Sequence, residues 1–381
     1  MRDHLGPLAQ RRRRIPSHVV DPRRHAAHGS GWVRRPACEY PLVPGSPVTD
    51  AVHDGQMDAM PGPTAVEAGL EPLRGPLTGY CYRLLGAVGE AEDAVQETML
   101  RAYRHLDRYD PSRAGLSTWV HTIATNVCLD LLRGARRRAL PWDFGPAAAD
   151  GVLGTPLGPA HWVEPMADSR LPHVADPAEL AVRRESVRLA FVAALQWLPP
   201  RQRAVLVLRD VLGFSAAEAA QILASSVAAA NSALQRARAT LQEHRPAPTD
   251  VPDPEDATQR ELLRDYVDAF EAHDVDRLIG LLADDVRLGM PPIAWWLSGP
   301  ASIGAAMTAG ADACAADRLL PGAPANGCPT LGQYRPDPDG VLRPFALLLL
   351  ELRGNRVAEI VTFLGCGERF AEFGLPPVPE R

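Results

Sequence analysis

Three clusters of polar side chains in this sequence are spaced to act on a surface rather than inside a pocket. In "AEDAVQETML", Asp93, Gln96 and Glu97 fall at i, i+3 and i+4, so a helix gathers them into one acidic patch near its start, where the helix dipole also favours them. A docking face for a partner and a merely solvated face both fit that patch. In "STWVHTIATNVCLDLLRGARRR", Trp119, Asn126 and Arg133 recur every seven residues and share a helix face that Arg136, Arg137 and Arg138 extend. An aromatic ring, an amide and a run of guanidinium groups suit stacking on an unpaired base, bonding to its edge and holding phosphates. Core packing is the other reading of the tryptophan. In "SSVAAANSALQRARATL", Asn231, Ser232, Gln235, Arg236 and Arg238 stand among alanines, a bare surface with few groups to read anything.

The elements that position these residues follow from periodicity. Val95, Met99, Ala102 and Leu106 form the apolar stripe of the helix that carries the acidic patch. After the Asp110-Pro111 turn, Ser117 is placed to cap a second helix with Val120, Ile123, Val127 and Leu131 inward and a basic end. "LPWDFGPAAADGVLGTPLGP" lacks periodicity and reads as a flexible linker over 140–178. Beyond it, "PRQRAVLVLRDVLGF" is a helix closed at Gly213, and Ser215 with Glu218 forms a capping box before a short helix. The next helix buries Val227, Ala230, Leu234, Ala237 and Leu241 and turns its polar side outward, the pattern of a helix-turn-helix whose second helix enters a major groove.

The C-terminal part opens with "RELLRDYVDAFEAHDVDRLIGLLADD" and closes with two strand-like runs joined by Gly354-Asn355, an α+β pattern. Its aromatic residues Trp295, Trp296, Tyr334 and Phe345 suffice to line a cavity, though core packing explains them equally. The expected fold is thus a mainly α N-terminal half of two helical modules, the second with a helix-turn-helix, followed by an α+β domain. The boundaries are 1–62 (a disordered extension, with Met57 and Met60 as alternative starts), 63–139, 140–178, 179–245, 246–257 (an acidic Pro-rich linker) and 258–381.

Composition narrows the partners. The chain has 381 residues, enough for two or three domains, and all 40 basic residues are arginine, a bias of GC-rich bacterial coding. A net charge of -6 confines nucleic-acid contact to local patches. The six cysteines form no CxxC pair, so neither a metal site nor a disulfide framework is expected, and no cofactor is called for. The longest apolar run, "FALLLLEL", is far short of the ~20 residues that span a bilayer, and no secretory segment follows the early arginines, so a cytoplasmic protein without membrane contact is expected.

Taken in order, "AEDAVQETMLRAY", "STWVHTIATNVCLDLLR" and "LPPRQRAVLVLRDVLGFSAAEAAQILASSVAAANSALQRARATL" resemble regions 2 and 4 of an extracytoplasmic-function sigma factor of the sigma-70 family, over about 64–245. The segment from about 255, with "MPPIAWW", "ANGCP" and "FAEFGLP", resembles the SnoaL-like, nuclear-transport-factor-2-like domain fused to some actinobacterial sigma factors. The resemblance implies that Asp93, Gln96 and Glu97 dock on the coiled coil of core RNA polymerase. It also implies that the helix bearing Asn126 melts the minus-ten promoter element, with Asn126 on a flipped base and Trp119 in a packing role, and that the second module reads the minus-35 element.

Where many members carry a "GTVRSR"-like entry to the recognition helix, this chain has "AAANSA" and lacks two basic side chains. Ala228 and Ala229 are left to meet thymine methyls, Asn231 and Gln235 to read adenine, and Arg236 and Arg238 to hold phosphate. At roughly 1–3 kcal/mol per good bidentate pair, polymerase must supply most of the affinity.

Two other readings compete. An enzyme of the SnoaL type needs a general base in an apolar pocket, but capping and a solvated turn explain His273 and Asp274, and no second acid or base stands at a forced spacing. A helix-turn-helix regulator sensing a small molecule in the C-terminal cavity leaves the acidic patch and the "RGARRR" helix unexplained.

Overall fold

The computed structural model describes residues 63–149, 153–171, 186–244 and 256–379, with backbone alone at 63–66. The N-terminal extension, the start of the second helical module and most of the acidic linker lie outside the described residues.

The first module is α1 (Pro63–Leu70), α2 (Arg74–Leu85), α3 (Val88–Arg104) and α4 (Leu116–Leu131). α2 buries Leu77, Tyr80, Tyr82 and Leu84 and stops at Gly86, whose φ of 74° suits a residue without a side chain. On α3 the expected Val95, Met99 and Ala102 are buried. The helix starts at Val88, however, so Asp93 lies beyond the first turn and the dipole acts on Glu90 instead. Two further expectations fail at α4. Gly115, not Ser117, is its N-cap, and the Ser117 hydroxyl lies 3.4 Å from His121 Nδ1. The helix also ends at Leu131, after which Gly134, at φ 78°, redirects the chain, so Arg136, Arg137 and Arg138 follow off the helix. Leu131 is exposed, and Ala124 and Cys128 complete the buried stripe.

Residues 140–149 and 153–171 are not a loose connector. Leu140, Trp162, Val163, Met166 and Ala167 are buried. Ala139 and Trp162 form a parallel bridge, and the Glu164 carboxylate accepts from the Val88 amide at 2.9 Å, capping α3 from a distance of 76 residues in sequence. This strap is ordered by long-range partners, which a search for periodicity does not detect.

The second module comprises α5 (Leu189–Leu195), α6 (Pro200–Leu206) running into a π turn at Val207–Val211, α7 (Ala216–Ile222) and α8 (Val227–Glu243). The capping box is formed: the Glu218 amide donates to Ser215 Oγ at 3.2 Å and the Ser215 amide to the Glu218 carboxylate at 2.8 Å. Ser226 caps α8 by accepting from the Ala229 amide at 3.1 Å. α8 buries Ala230, Leu234 and Ala237, whereas Val227, expected in that stripe, is exposed in its first turn.

The C-terminal domain sets α9 (Ala257–Glu271), α10 (Val275–Gly280), α11 (Pro300–Ala309) and α12 (Ala311–Cys314) with six strands: β1 (Leu282–Gly289), β2 (Trp296–Ser298), β3 (Arg318–Ala325), β4 (Cys328–Pro336), β5 (Leu342–Arg353) and β6 (Arg356–Leu364). The sheet order is β2-β1-β6-β5-β4-β3, antiparallel except for β1 with β6. The apolar run in β5 has a simple cause. Leu348 and Leu350 pack into the core under α9, while Leu347 and Leu349 join the core of the two helical modules, so both faces of the strand are covered.

Candidate docking and nucleic-acid interface

On α3, Asp93 and Gln96 are exposed and Glu97 is half-buried beside Arg101 at 2.7 Å. Leu100 and Tyr103 continue the same face at helical spacing and are 42% and 43% exposed. The face is therefore acidic at one end and apolar at the other, a composition suited to a protein partner. The two apolar residues were readable in "QETMLRAY" as large side chains outside the buried stripe, and the charge pattern alone passed over them.

Of the residues expected at an unpaired base, Asn126 is exposed on α4, and Arg133 is exposed beside Asp130 at 3.2 Å. Trp119 is half-buried against Tyr109, ring centres 5.3 Å apart, which supports packing. The arginine run divides. Arg136 is exposed, 3.1 Å from His161 of the strap. Arg137 is half-buried with its guanidinium 3.5 Å from the centre of the Trp197 ring. Arg138 is buried, pairing with Glu90 at 2.6 Å and donating to the carbonyls of Pro159 and Trp162 at 2.9 and 3.1 Å. It holds the strap to α3 and does not face solvent.

On α8, Asn231, Ser232, Gln235 and Arg236 are all exposed, with Arg236 donating to Ser232 Oγ at 2.7 Å. Arg238 is also exposed but makes a two-pronged ion pair with Asp210 at 2.6 and 2.9 Å. The exposed Ala228 and Ala229 complete a surface as bare as the sequence suggests.

Other faces of these modules meet one another. Thr118 on α4 donates to Glu218 on α7 at 3.3 Å, and Gln221 on α7 donates to the Arg113 carbonyl at 3.4 Å. The His121 ring packs edge-on against Phe214, centres 4.9 Å apart, and burial holds its pKa below the ordinary value. Arg203 on α6 is buried, donating to the Leu84 carbonyl of α2 and to Gln196, and burial lowers its pKa to about 10. The C-terminal sheet adds a buried ion pair between Glu351 on β5 and Arg188 just before α5. Asn326 donates to Tyr82 Oη at 2.7 Å and to the Val187 carbonyl at 2.6 Å.

Within the C-terminal domain a cavity of about 430 Å³ lies between α9, α11 and the sheet. Trp295 and Phe345 line it. Trp296 and Tyr334 do not. Trp296 faces the strap, donating to the Gly145 carbonyl at 2.9 Å, and Tyr334 points from the opposite sheet face, packing on Phe370 and donating to the Pro376 carbonyl at 2.7 Å. Strand alternation sends neighbouring aromatic residues to opposite sides.

Residues 70–138 match Sigma-70 region 2, and residues 188–241 match Sigma-70, region 4. The ECF RNA polymerase sigma factor SigG of Mycobacterium tuberculosis is 43% identical over 313 residues, covering 80% of this chain and 82% of its own. The chain belongs to the extracytoplasmic-function sigma factors. SigJ of the same organism is 32% identical over 217 residues, 57% of this chain and 62% of that one. The crystal structure of SigJ covers 81% of this chain and 99% of its own at a TM-score of 0.53 and 23% identity, so the fold likeness extends past the helical modules.

This sigma factor directs promoter-specific initiation by RNA polymerase. Its region 2 match spans α2 to α4, and its region 4 match spans α5 to α8. No helix among the described residues is long and apolar enough to cross a membrane.

Proposed function

We propose that the described arrangement is the resting state of the sigma factor, and that regions 2 and 4 must part before both can hold a promoter. The observation that carries this reading is the direct contact of α4 with α7, 3.3 Å between Thr118 and Glu218. The minus-ten and minus-35 elements lie about 25 base pairs apart, roughly 85 Å along the duplex at ~3.4 Å per step. Two modules in van der Waals contact do not span that distance.

In the opened state the face bearing Asp93, Gln96, Glu97, Leu100 and Tyr103 docks on core polymerase. Asn126, Arg133 and Arg136 engage the minus-ten element, joined by Arg137 once it leaves Trp197. Asn231, Ser232, Gln235 and Arg236 read the minus-35 element, with Arg238 reaching phosphate when it exchanges Asp210. Arg138 keeps a structural role. The C-terminal domain acts by restraint rather than catalysis, holding region 4 through Glu351 and the strap through Trp296, and its cavity accepts a small molecule. The protein works in the cytoplasm, where its polymerase is.

The test is in vitro transcription with bacterial core polymerase on a promoter library. The wild-type chain is expected to start transcripts at defined sites, and Asp93→Arg with Glu97→Arg to abolish them. A chain ending after Arg245 is expected to exceed the full-length protein in activity. Undiminished transcription by the double charge reversal would remove α3 as the docking face.

A further inference from the structure

The cavity of the C-terminal domain has a lining that selects among ligands. Its walls are mostly apolar, including Leu348 and Ile360 from the sheet and Met307 from α11, and its volume falls within the ~300–1,000 Å³ range of small-molecule sites. Arg335, the cation in the wall, is already neutralised by Asp317 at 2.7 Å and lies over the Phe345 ring, 3.6 Å from its centre. An anionic ligand would have to displace that carboxylate. His273 supplies the polar selectivity. Its Nδ1 lies 3.2 Å from the Glu271 carbonyl, which can only accept, so the ring proton sits on Nδ1. Among the described residues, Nε2 is left as a buried acceptor without a hydrogen-bond partner.

The cavity is also tied to the strap. Met290 and Trp295 line it from the loop between β1 and β2. That loop and the start of β2 accept from the strap: Leu157 donates to the Pro292 carbonyl at 2.7 Å and Ala148 to the Trp296 carbonyl at 2.8 Å. Pro156 pairs with Ile293, and Leu153 of the strap is itself part of the cavity wall. Farther along, the strap carbonyls of Pro159 and Trp162 hold Arg138, next to the minus-ten arginines.

We infer that this cavity binds an uncharged, largely apolar small molecule carrying a hydroxyl or N–H group, and that occupancy shifts the β1–β2 loop and with it the strap joining regions 2 and 4. The binding half stands on the cavity alone. The coupling half rests on the restraint reading above and deepens it by naming the ligand class and the route.

Full-length protein titrated with N-phenyl-1-naphthylamine, an uncharged three-ring secondary amine whose fluorescence rises in apolar sites, tests the binding half. One saturable site is expected. Ala306→Trp and Met307→Trp, two separate ways of filling the cavity, should each weaken binding at least about tenfold, and His273→Asn about fivefold for one lost hydrogen bond. 2-Naphthol should displace the probe at no more than about one tenth the concentration of 2-naphthoate, the anion being disfavoured in an apolar site. Unchanged affinity in both filled variants, or equal displacement by the anion, overturns the site.

Hydrogen exchange at the Ala148 and Leu157 amides, with and without saturating probe, tests the coupling. A change of at least about threefold is expected if the loop moves. Binding without any change there overturns the coupling and leaves the cavity assignment intact. Neither readout involves transcription, so failure of the resting-state reading would be seen separately.

Discussion

Arg138 keeps only 8% of its side chain exposed and bonds Glu90 together with two strap carbonyls, whereas Arg236 lies in the open with Ser232 as its partner. One positive charge is structural and the other is available to a phosphate. Arg138→Ala should lower unfolding stability by about 2–3 kcal/mol in urea titration, since it removes the charge-assisted bonds to Glu90 and Pro159 and the buried one to the Trp162 carbonyl. Arg236→Ala should leave stability within about 0.5 kcal/mol and reduce the salt slope of promoter binding by about one. The sequence shows both arginines equally well. What separates them is the fold: Gly134 ends the helix early and delivers Arg138 to Glu90, and no local spacing reveals that pairing. Leu100 and Tyr103 are the converse case, legible by type and position but overshadowed by the acids beside them.

At the scale of elements, the helices follow the apolar periodicity and the capping box forms at Ser215, because these features depend on residues within one or two turns. The strap was illegible for the opposite reason. Its order comes from Glu164 capping α3, from Trp162 and Val163 in the core and from Arg138, all partners far away in sequence. The contact of α4 with α7 carries its own pH dependence through His121. In the folded chain burial lowers its pKa, while the unfolded chain takes a proton near the ordinary 6.5. The unfolded state therefore binds more protons below that pH, and stability must fall as acid is added. This contribution is fully present above pH 6.5 and is lost as pH falls through the lowered pKa. Urea midpoints compared at pH 7.5 and 5.5 should show the loss in the wild type. His121→Phe, which keeps a ring against Phe214, should flatten the difference, and an unaltered difference would remove His121 as its source.

For the whole molecule, the decisive fact is that one core runs through region 2, region 4 and the outer face of the C-terminal sheet, a joining no pattern in the chain announces. The alternating faces of β5 show afterwards why "FALLLLEL" is apolar throughout. Glu351 with Arg188 is the charged part of this joint. Glu351→Ala breaks a buried ion pair and should weaken the joint by about 3–5 kcal/mol, whereas Glu351→Leu with Arg188→Met should be neutral or stabilising. Transcription by the single variant is expected to exceed wild type, and the apolar pair to restore restraint. Equal activity in all three would show that this joint does not govern initiation.

The parting of regions 2 and 4 can be measured by single-molecule energy transfer. Labels at the exposed Ser112 and Ala217 flank the contact of α4 with α7. High transfer is expected in the free protein, and its collapse on addition of core polymerase and promoter, as the modules move toward the roughly 85 Å that separates the two elements. High transfer retained in complexes that are making transcripts would contradict it.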